Sequence, residues 1–349
     1  MLITGITGFL AAHVLDAVLA SPERYRIRGT LRNIDRKSAL LERFSPEDRA
    51  RIELVTVSNT ATADLTEVVQ DVDLILHLAS PYQLNVQDAE RDLLTPAIEG
   101  TLNVLRYAAR SPSVSKVVIT SSFAAVTNFS QGGPYRSGFT YTANDWNPLT
   151  YEDAVRVGGQ GAVAYSASKT LAERAAWDFV AQNKPTFQLA TINPPMIYGP
   201  TLQPCSSKEH LNTSSATIYR LISRAESMPD DRLPLFCHAR DVADAHVRAL
   251  EVPNAMQQRY LLCGGKFYWR QAAAYIAEHY PHLKDRLPLG WEKAVATPNS
   301  IDQIANIDTT PASTLLQMTF QDWTSTLKAS VDDLLRLEEK WALSAPKIE

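Results

Sequence analysis

Cysteine is scarce in this chain: three in 349 residues, Cys205, Cys237 and Cys263. So small and odd a set makes no disulfide framework, which excludes the stapled secreted class and leads us to expect a reducing compartment, the cytoplasm. Positive charge is not in excess either. The 34 Lys and Arg stand against 38 Asp and Glu, for a formal charge of -4. That supplies no drive toward nucleic acid or an anionic membrane. Long apolar runs are missing as well: Val14 to Ala20 is short and interrupted by Asp16, so no membrane span is expected. No basic segment precedes an apolar run near the start, which argues against a signal peptide. The seven histidines do not form metal-ligand spacings: Pro281 separates His279 from His282, and His238, Asp241 and His246 lack zinc-like intervals. With no Gly-x-Ser-x-Gly elbow, serine hydrolase chemistry is disfavoured too.

What the chain does have is apolar content of 45%, enough for a real core, and an alternation of short apolar runs with helical patterns. Strands are expected at Leu2–Thr4, Tyr25–Thr30, Arg51–Val57, Asp73–Ala79, Lys116–Ser121 and Phe187–Asn193, with Arg259–Cys263 as a late strand returning to the same sheet. Helices are expected at Phe9–Leu19, Leu94–Ala109, Ser214–Ala225, Trp269–His279 and Ser330–Trp341. Strands alternating with helices imply βαβ units, hence an α/β fold of Rossmann type, a doubly wound parallel sheet. Beyond Pro194 the pattern gives way to proline-rich loops and scattered helices, which we read as a smaller, discontinuous C-terminal lobe. The expected division is 1–200 plus about 235–263 for the nucleotide-binding domain, and about 201–234 plus 264–349 for a substrate-binding lobe.

Gly5-Ile-Thr-Gly8-Phe-Leu-Ala11 falls between the first strand and the first helix, where a dinucleotide pyrophosphate is held against a helix N-terminus. Gly5, Thr7, Gly8, Phe9 and Leu10 are the candidate contacts. The second strand runs into Arg32. An acid near this position selects NAD through the ribose 2'-OH, whereas an arginine accommodates the 2'-phosphate of NADP. Arg32, assisted by Arg36 or Lys37, therefore points to NADPH/NADP+; Asp35 lies in the following loop. Tyr165 and Lys169, four apart, share one face if helical. A cation near a phenol favours its ionised form, which tunes the tyrosine for acid catalysis. The spacing recurs at Tyr280 and Lys284, but Pro281 disfavours a continuous helix there.

Several motifs occur together and in order: Thr4-Gly-Ile-Thr-Gly-Phe9, Arg32, His77-Leu-Ala-Ser-Pro81, Glu90-Arg-Asp-Leu-Leu94, Thr120-Ser-Ser122, Tyr165 to Lys169, Asn193-Pro194, Gly199-Pro200 and Arg240-Asp-Val-Ala243. With these the chain resembles the extended short-chain dehydrogenase/reductases. Within them it is similar to the dihydroflavonol-reductase-like branch, especially NADPH-dependent aldehyde and ketone reductases of methylglyoxal type. The resemblance implies a catalytic trio. Ser122 polarises the carbonyl, Tyr165 protonates the alkoxide, and Lys169 binds the nicotinamide ribose and lowers the tyrosine pKa. It also implies that Ala79 and Ser80 border the cofactor, that Pro194, Met196 and Ile197 line the nicotinamide, and that Tyr82, Phe123 and Tyr198 form the substrate pocket. The implied partner is a small-molecule carbonyl, and the implied assembly a monomer or homodimer. The acid that often follows the third strand is absent, leaving Ser58, Asn59 or backbone groups for adenine. The helix asparagine of many relatives is replaced near Ala97. Two other readings remain: an NAD-dependent sugar-nucleotide epimerase or dehydratase, which Arg32 opposes, and a non-catalytic NADP-sensing protein, which the retained tyrosine opposes.

Overall fold

A parallel sheet covered on both faces needs strands that are apolar throughout, and Lys-Val-Val-Ile-Thr120 buries its three central residues. The computed structural model describes residues 1–34, 37–82, 86–158, 161–296 and 301–344. Its strands are β1 (Leu2–Thr4), β2 (Ile27–Leu31), β3 (Ile52–Thr56), β4 (Leu74–His77), β5 (Lys116–Thr120), β6 (Thr140–Tyr141), β7 (Gln188–Asn193), β8 (Met196–Tyr198), β9 (Leu235–His238), β10 (Arg259–Leu261), β11 (Gly265–Lys266) and β12 (Asn306–Ile307). The central sheet has seven strands in the order β10-β7-β5-β4-β1-β2-β3, and every pairing in it is parallel. The late strand β10 does return to this sheet, against β7.

Strand order reverses between β1 and β4, so the crevice at their C-terminal ends is the topological switch point where open α/β sheets bind ligands. Short as it is, β1 pairs on both sides, with Leu2 opposite Arg28 and Ile75. Alternation along each strand sends successive side chains to opposite faces. Ile3, Leu76 and Val118 pack with Val14, Leu15, Val242 and Leu250 of the helices Phe9–Ala20 and Ala239–Glu251. Leu2, Ile75 and Val117 pack with Val104, Leu105 and Ala176 of the helices Thr95–Arg110 and Gly161–Asn183.

A second core joins Ile218, Phe236, Phe267, Trp269, Ile276 and Val331. The small sheet beside it, β11-β9-β8, was not expected: Met196–Tyr198 follows two prolines and reads as loop, yet it pairs in parallel with β9. This sheet takes Gly265–Lys266 from beyond residue 263 and sets it antiparallel to β9. The C-terminal helix runs Trp323–Ser344, a longer span than its apolar stripe indicates. Asp322 explains the earlier start, because its Oδ1 accepts from the backbone N–H groups of Thr324 and Ser325 at 2.8 and 3.0 Å and so caps the first turn. No helix among the described residues is long and apolar enough to cross a membrane.

Candidate active site

The turn after β1 is built for close backbone approach. Gly5 has φ +69°, a left-handed conformation that favours glycine, and a Cβ there would stand 3.1 Å from the Ala79 Cα, so a side chain would crowd the β4 exit. Thr4 closes the same junction: its Oγ1 accepts from Leu78 N–H and Ala79 N–H, each at 3.1 Å, and hydrogen-bonds His77 Nδ1 at 2.8 Å. The helix that follows starts at Phe9 with Gly8 as its cap and no side-chain cap hydrogen bond. Its first N–H groups are therefore left for an anion. Thr7, Phe9 and Leu10 are half-buried around this turn and Gly8 is exposed.

At the end of β2 Arg32 is exposed, and among the described residues no carboxylate pairs with it. A guanidinium in that state at the switch-point edge fits a phosphate. Arg36 and the side chain of Lys37 lie outside the described residues. Ser58 is exposed just past β3. Asn59 spends its Oδ1 on Ala61 N–H at 2.9 Å, which leaves Ser58 as the freer of the two. Ala79 and Ser80, half-buried, border the crevice from β4, and β8 carries Met196 and Ile197, also half-buried, after buried Pro194.

Tyr165 and Lys169 lie one turn apart in the Gly161–Asn183 helix. Ser122 is near enough to favour the ionised form of the Tyr165 phenol, and its Oγ accepts from Ala124 N–H at 3.1 Å, capping the short helix after β5. The Tyr82 ring stands edge-on to the Tyr165 ring, with centroids 5.0 Å apart. Burial, then the nearby Tyr82, push the Tyr165 phenol up, opposed by Ser122. This differs from the expected depression by Lys169. The ammonium instead donates to the Thr120 carbonyl at 2.9 Å, and burial lowers its own pKa to about 8 while Glu173 opposes the shift. A neutral phenol is the form that can give a proton. His77 is buried and its pKa falls to about 3, through burial and then the Lys169 charge, so it serves the fold as a neutral partner of Thr4.

Two of the three pocket candidates sit deeper than expected. Phe123 is only 1% exposed and packs edge-on against Tyr141 at 5.1 Å, so it is a core residue: its N–H is fixed on the Pro194 carbonyl at 2.8 Å, which turns the ring inward. The Tyr198 ring, 3% exposed, packs against Phe267 and Trp269, although its hydroxyl still feels Tyr82. Tyr82, 45% exposed, is left as the open wall beside Tyr165.

The sequence reading missed Glu173 and Arg259. They form a buried ion pair at 2.7 Å, with side chains 1% and 8% exposed, directly behind Lys169. A signal existed: Glu173 lies four residues after Lys169, a carboxylate among Ala172 and Ala176 on an inward helix face.

Comparison with known proteins agrees with this geometry. NADPH-dependent methylglyoxal reductase GRE2 of Saccharomyces cerevisiae is 31% identical over 349 residues, spanning 96% of this chain and 98% of that protein. Ketoreductase azaE of Aspergillus niger is 33% identical over 346 residues, 96% of this chain and 97% of its own. The crystal structure of yeast methylglyoxal/isovaleraldehyde reductase Gre2 complexed with NADPH superposes with a TM-score of 0.83 at 29% identity, covering 97% of this chain and 99% of that one. The model of the NAD dependent epimerase/dehydratase family matches residues 1–263, and with three quarters of its length so matched this chain belongs to that family.

Proposed function

We propose that this protein is an NADPH-dependent carbonyl reductase, an oxidoreductase that converts small aldehydes, ketones or dicarbonyls to alcohols. The observation that carries the reading is the Tyr165 phenol, kept neutral by burial and influenced by Ser122, one helical turn from the buried Lys169 whose ammonium reaches the end of β5. The reductase activities of the relatives support the same assignment.

The residues present fit the cofactor. The cradle that Gly5 leaves open, the helix N-terminus at Gly8 and Phe9, and the exposed Arg32 would hold the pyrophosphate and the 2'-phosphate. Ala79, Ser80, Pro194, Met196 and Ile197 would border it from β4 and β8, with Ser58 near adenine. When bound, the reduced nicotinamide supplies a hydride to the substrate carbon. Ser122 then donates a hydrogen bond to the carbonyl oxygen as negative charge develops there. Tyr165 delivers its proton to the same oxygen, and the phenolate that remains is stabilised by the Lys169 cation one turn away. Tyr82 shields the pair from water and, with Tyr198, shapes the substrate pocket. We read the described residues within about 201–234 and 264–349 as the lobe that borders this pocket.

We place the enzyme in the cytoplasm, as a monomer or homodimer; its three cysteines are all free. The test is NADPH consumption, followed at the reduced-nicotinamide absorbance band, over a panel of aldehydes, aryl ketones and diketones, with NADH in parallel. Fast consumption of NADPH that NADH does not match is the expected result. Consumption of neither, with tightly held NAD+ released on denaturation, would replace this reading by a sugar-nucleotide epimerase.

A further inference from the structure

Behind the pocket a single carboxylate gathers the elements that carry the site. Glu173 is buried, with its side chain 1% exposed. Its Oε2 accepts from the Ser121 hydroxyl at 2.5 Å and from Asn193 Nδ2 at 2.7 Å. Its Oε1 accepts from Thr191 Oγ1 at 2.9 Å and Arg259 Nε at 2.7 Å. Those donors come from the end of β5, from β7 and from β10, while Glu173 itself lies one helical turn beyond Lys169. Asn193 Nδ2 also reaches the Ser122 carbonyl at 3.3 Å, so both residues of the serine pair are tied to the same centre. Arg259 is in turn held from outside: it lies 3.6 Å over the Trp146 ring and donates to the Asp145 carbonyl at 2.9 Å, and to that of Ala143. Glu173 and Lys169 both line a cavity of about 10 Å³, together with His77, Thr101 and Ser121; that is about the room one water molecule needs.

This arrangement exceeds what packing alone asks for. Burying an ion pair carries a desolvation penalty that apolar residues of equal size avoid, and the pair sits where the fold brings β5, β7 and the Lys169 helix together. We propose that Glu173 is a positioning residue for the reductase reaction: its carboxylate holds the Ser122 backbone, the β7 exit and the Lys169 helix in fixed register, and supplies the negative charge that faces Lys169. The inference rests on the reductase reading given above. Tyr165 and Glu173 on its own helix, neutral His77 on β4, Thr120 at the end of β5 and Ser121 just beyond it, and Thr101 on the Thr95–Arg110 helix surround Lys169; Glu173 is the charged member of that set.

The sign follows. Lys169 is cationic below about pH 8, and Glu173 opposes the burial that lowers it. Neutralising Glu173 moves the loss of the Lys169 proton to lower pH. In Glu173→Gln the alkaline limb of kcat/KM for NADPH is therefore expected to shift down by about one pH unit, and kcat at pH 7 to fall about tenfold to a hundredfold as Ser122 and Lys169 lose register. A merely structural role would lower the melting temperature and leave the limb in place, so a folded variant whose profile overlays wild type overturns the proposal. If Arg259, left unpaired, prevents folding, Glu173→Gln/Arg259→Gln buries no lone charge; because both charges of the pair are removed, the limb is expected to move the same way but by less, and a limb that stays in place there overturns the proposal as well. Wild-type protein that turns over no carbonyl overturns the reductase reading alone. The pH dependence of NADPH binding, read by nucleotide fluorescence, then decides the inference: a limb that moves in Glu173→Gln supports it and one that stays sinks it.

Discussion

The chain contains the tyrosine-lysine spacing twice, and the two regions differ in nearly everything except that spacing. Tyr165 and Lys169 lie within one unbroken helix, with the lysine 7% exposed and its ammonium on a strand-end carbonyl. Tyr280 ends the helix Trp269–His279 at φ -129°, ψ 67°, and Lys284 belongs to the 3-10 turn Pro281–Arg286 that follows. Proline lacks the N–H for the next helical bond and its ring clashes with the preceding turn, so the chain changes direction and Lys284 is exposed. Both phenols are pushed up by burial, but Tyr280 also donates to Asp332 Oδ1 at 2.6 Å, and that carboxylate raises it further. Its proton is committed to a fixed acceptor. The Tyr165 proton faces a serine and an open pocket edge. Spacing thus becomes chemistry only where the backbone keeps both groups on one face and the surroundings leave the proton free to go.

The sharpest way to break the comparison is to remove one hydroxyl at each place. Tyr165→Phe is expected to lose about 10²- to 10⁴-fold in kcat, the range of a positioned general acid, while NADPH still binds. Tyr280→Phe should keep kcat within about twofold of wild type, since its hydroxyl reaches nothing that reacts. Steady-state kinetics with any carbonyl accepted in the panel checks both. Comparable losses in the two variants, or normal turnover in Tyr165→Phe, would remove the basis for assigning the acid to Tyr165.

That contrast also explains what could be read from the sequence. The parallel sheet was legible because its strands are short apolar runs punctuated by helices, and the Gly5 turn because two glycines stand between the first strand and the first helix, where a tight turn asks for them. The role of Pro281 as a break was legible as well, since it acts through its own ring. The small sheet was not. Met196–Tyr198 and Leu235–His238 are brief, lie far apart in sequence and find each other only through tertiary packing. The burial of Phe123 depends on the Pro194 carbonyl across the β5–β7 junction, a contact no local pattern encodes. The direction of the Tyr165 shift was missed for a related reason: helical spacing locates Lys169 but does not say that its ammonium turns to Thr120. Glu173 escaped because its partners come from three different strands.

A second test sharpens the comparison at the cofactor end. Arg32 is exposed, like Lys284, yet it stands at the edge of the crevice, whereas Lys284 faces away in a surface turn. Arg32→Gln is expected to raise KM for NADPH about tenfold to a hundredfold, the equivalent of one charged hydrogen-bonded contact of roughly 1.5–3 kcal/mol, and to leave KM for NADH nearly unchanged. Lys284→Gln should alter neither. Equal losses with both nucleotides in Arg32→Gln would mean that the residue supports the turn rather than reads the 2'-phosphate.

The smallest effect belongs to stability in the second region. Removing the Tyr280 hydroxyl deletes a hydrogen bond to a charged acceptor, a class worth roughly 1.5–3 kcal/mol. Asp332 keeps a second partner, Lys328 Nζ at 2.6 Å, and stays 45% exposed, so water and the ammonium take up most of the lost contact. The net change in Tyr280→Phe is therefore expected near 1 kcal/mol, a fall of about 2 °C or less in melting temperature for a chain of this size, measured by calorimetry. The ring itself remains in the lobe core beside Ile276 and Leu283, which keeps the packing term intact. A drop of many degrees together with reduced turnover would show that the junction at Pro281 transmits strain to the pocket through the lobe, and the two regions could no longer be treated as one reactive and one structural.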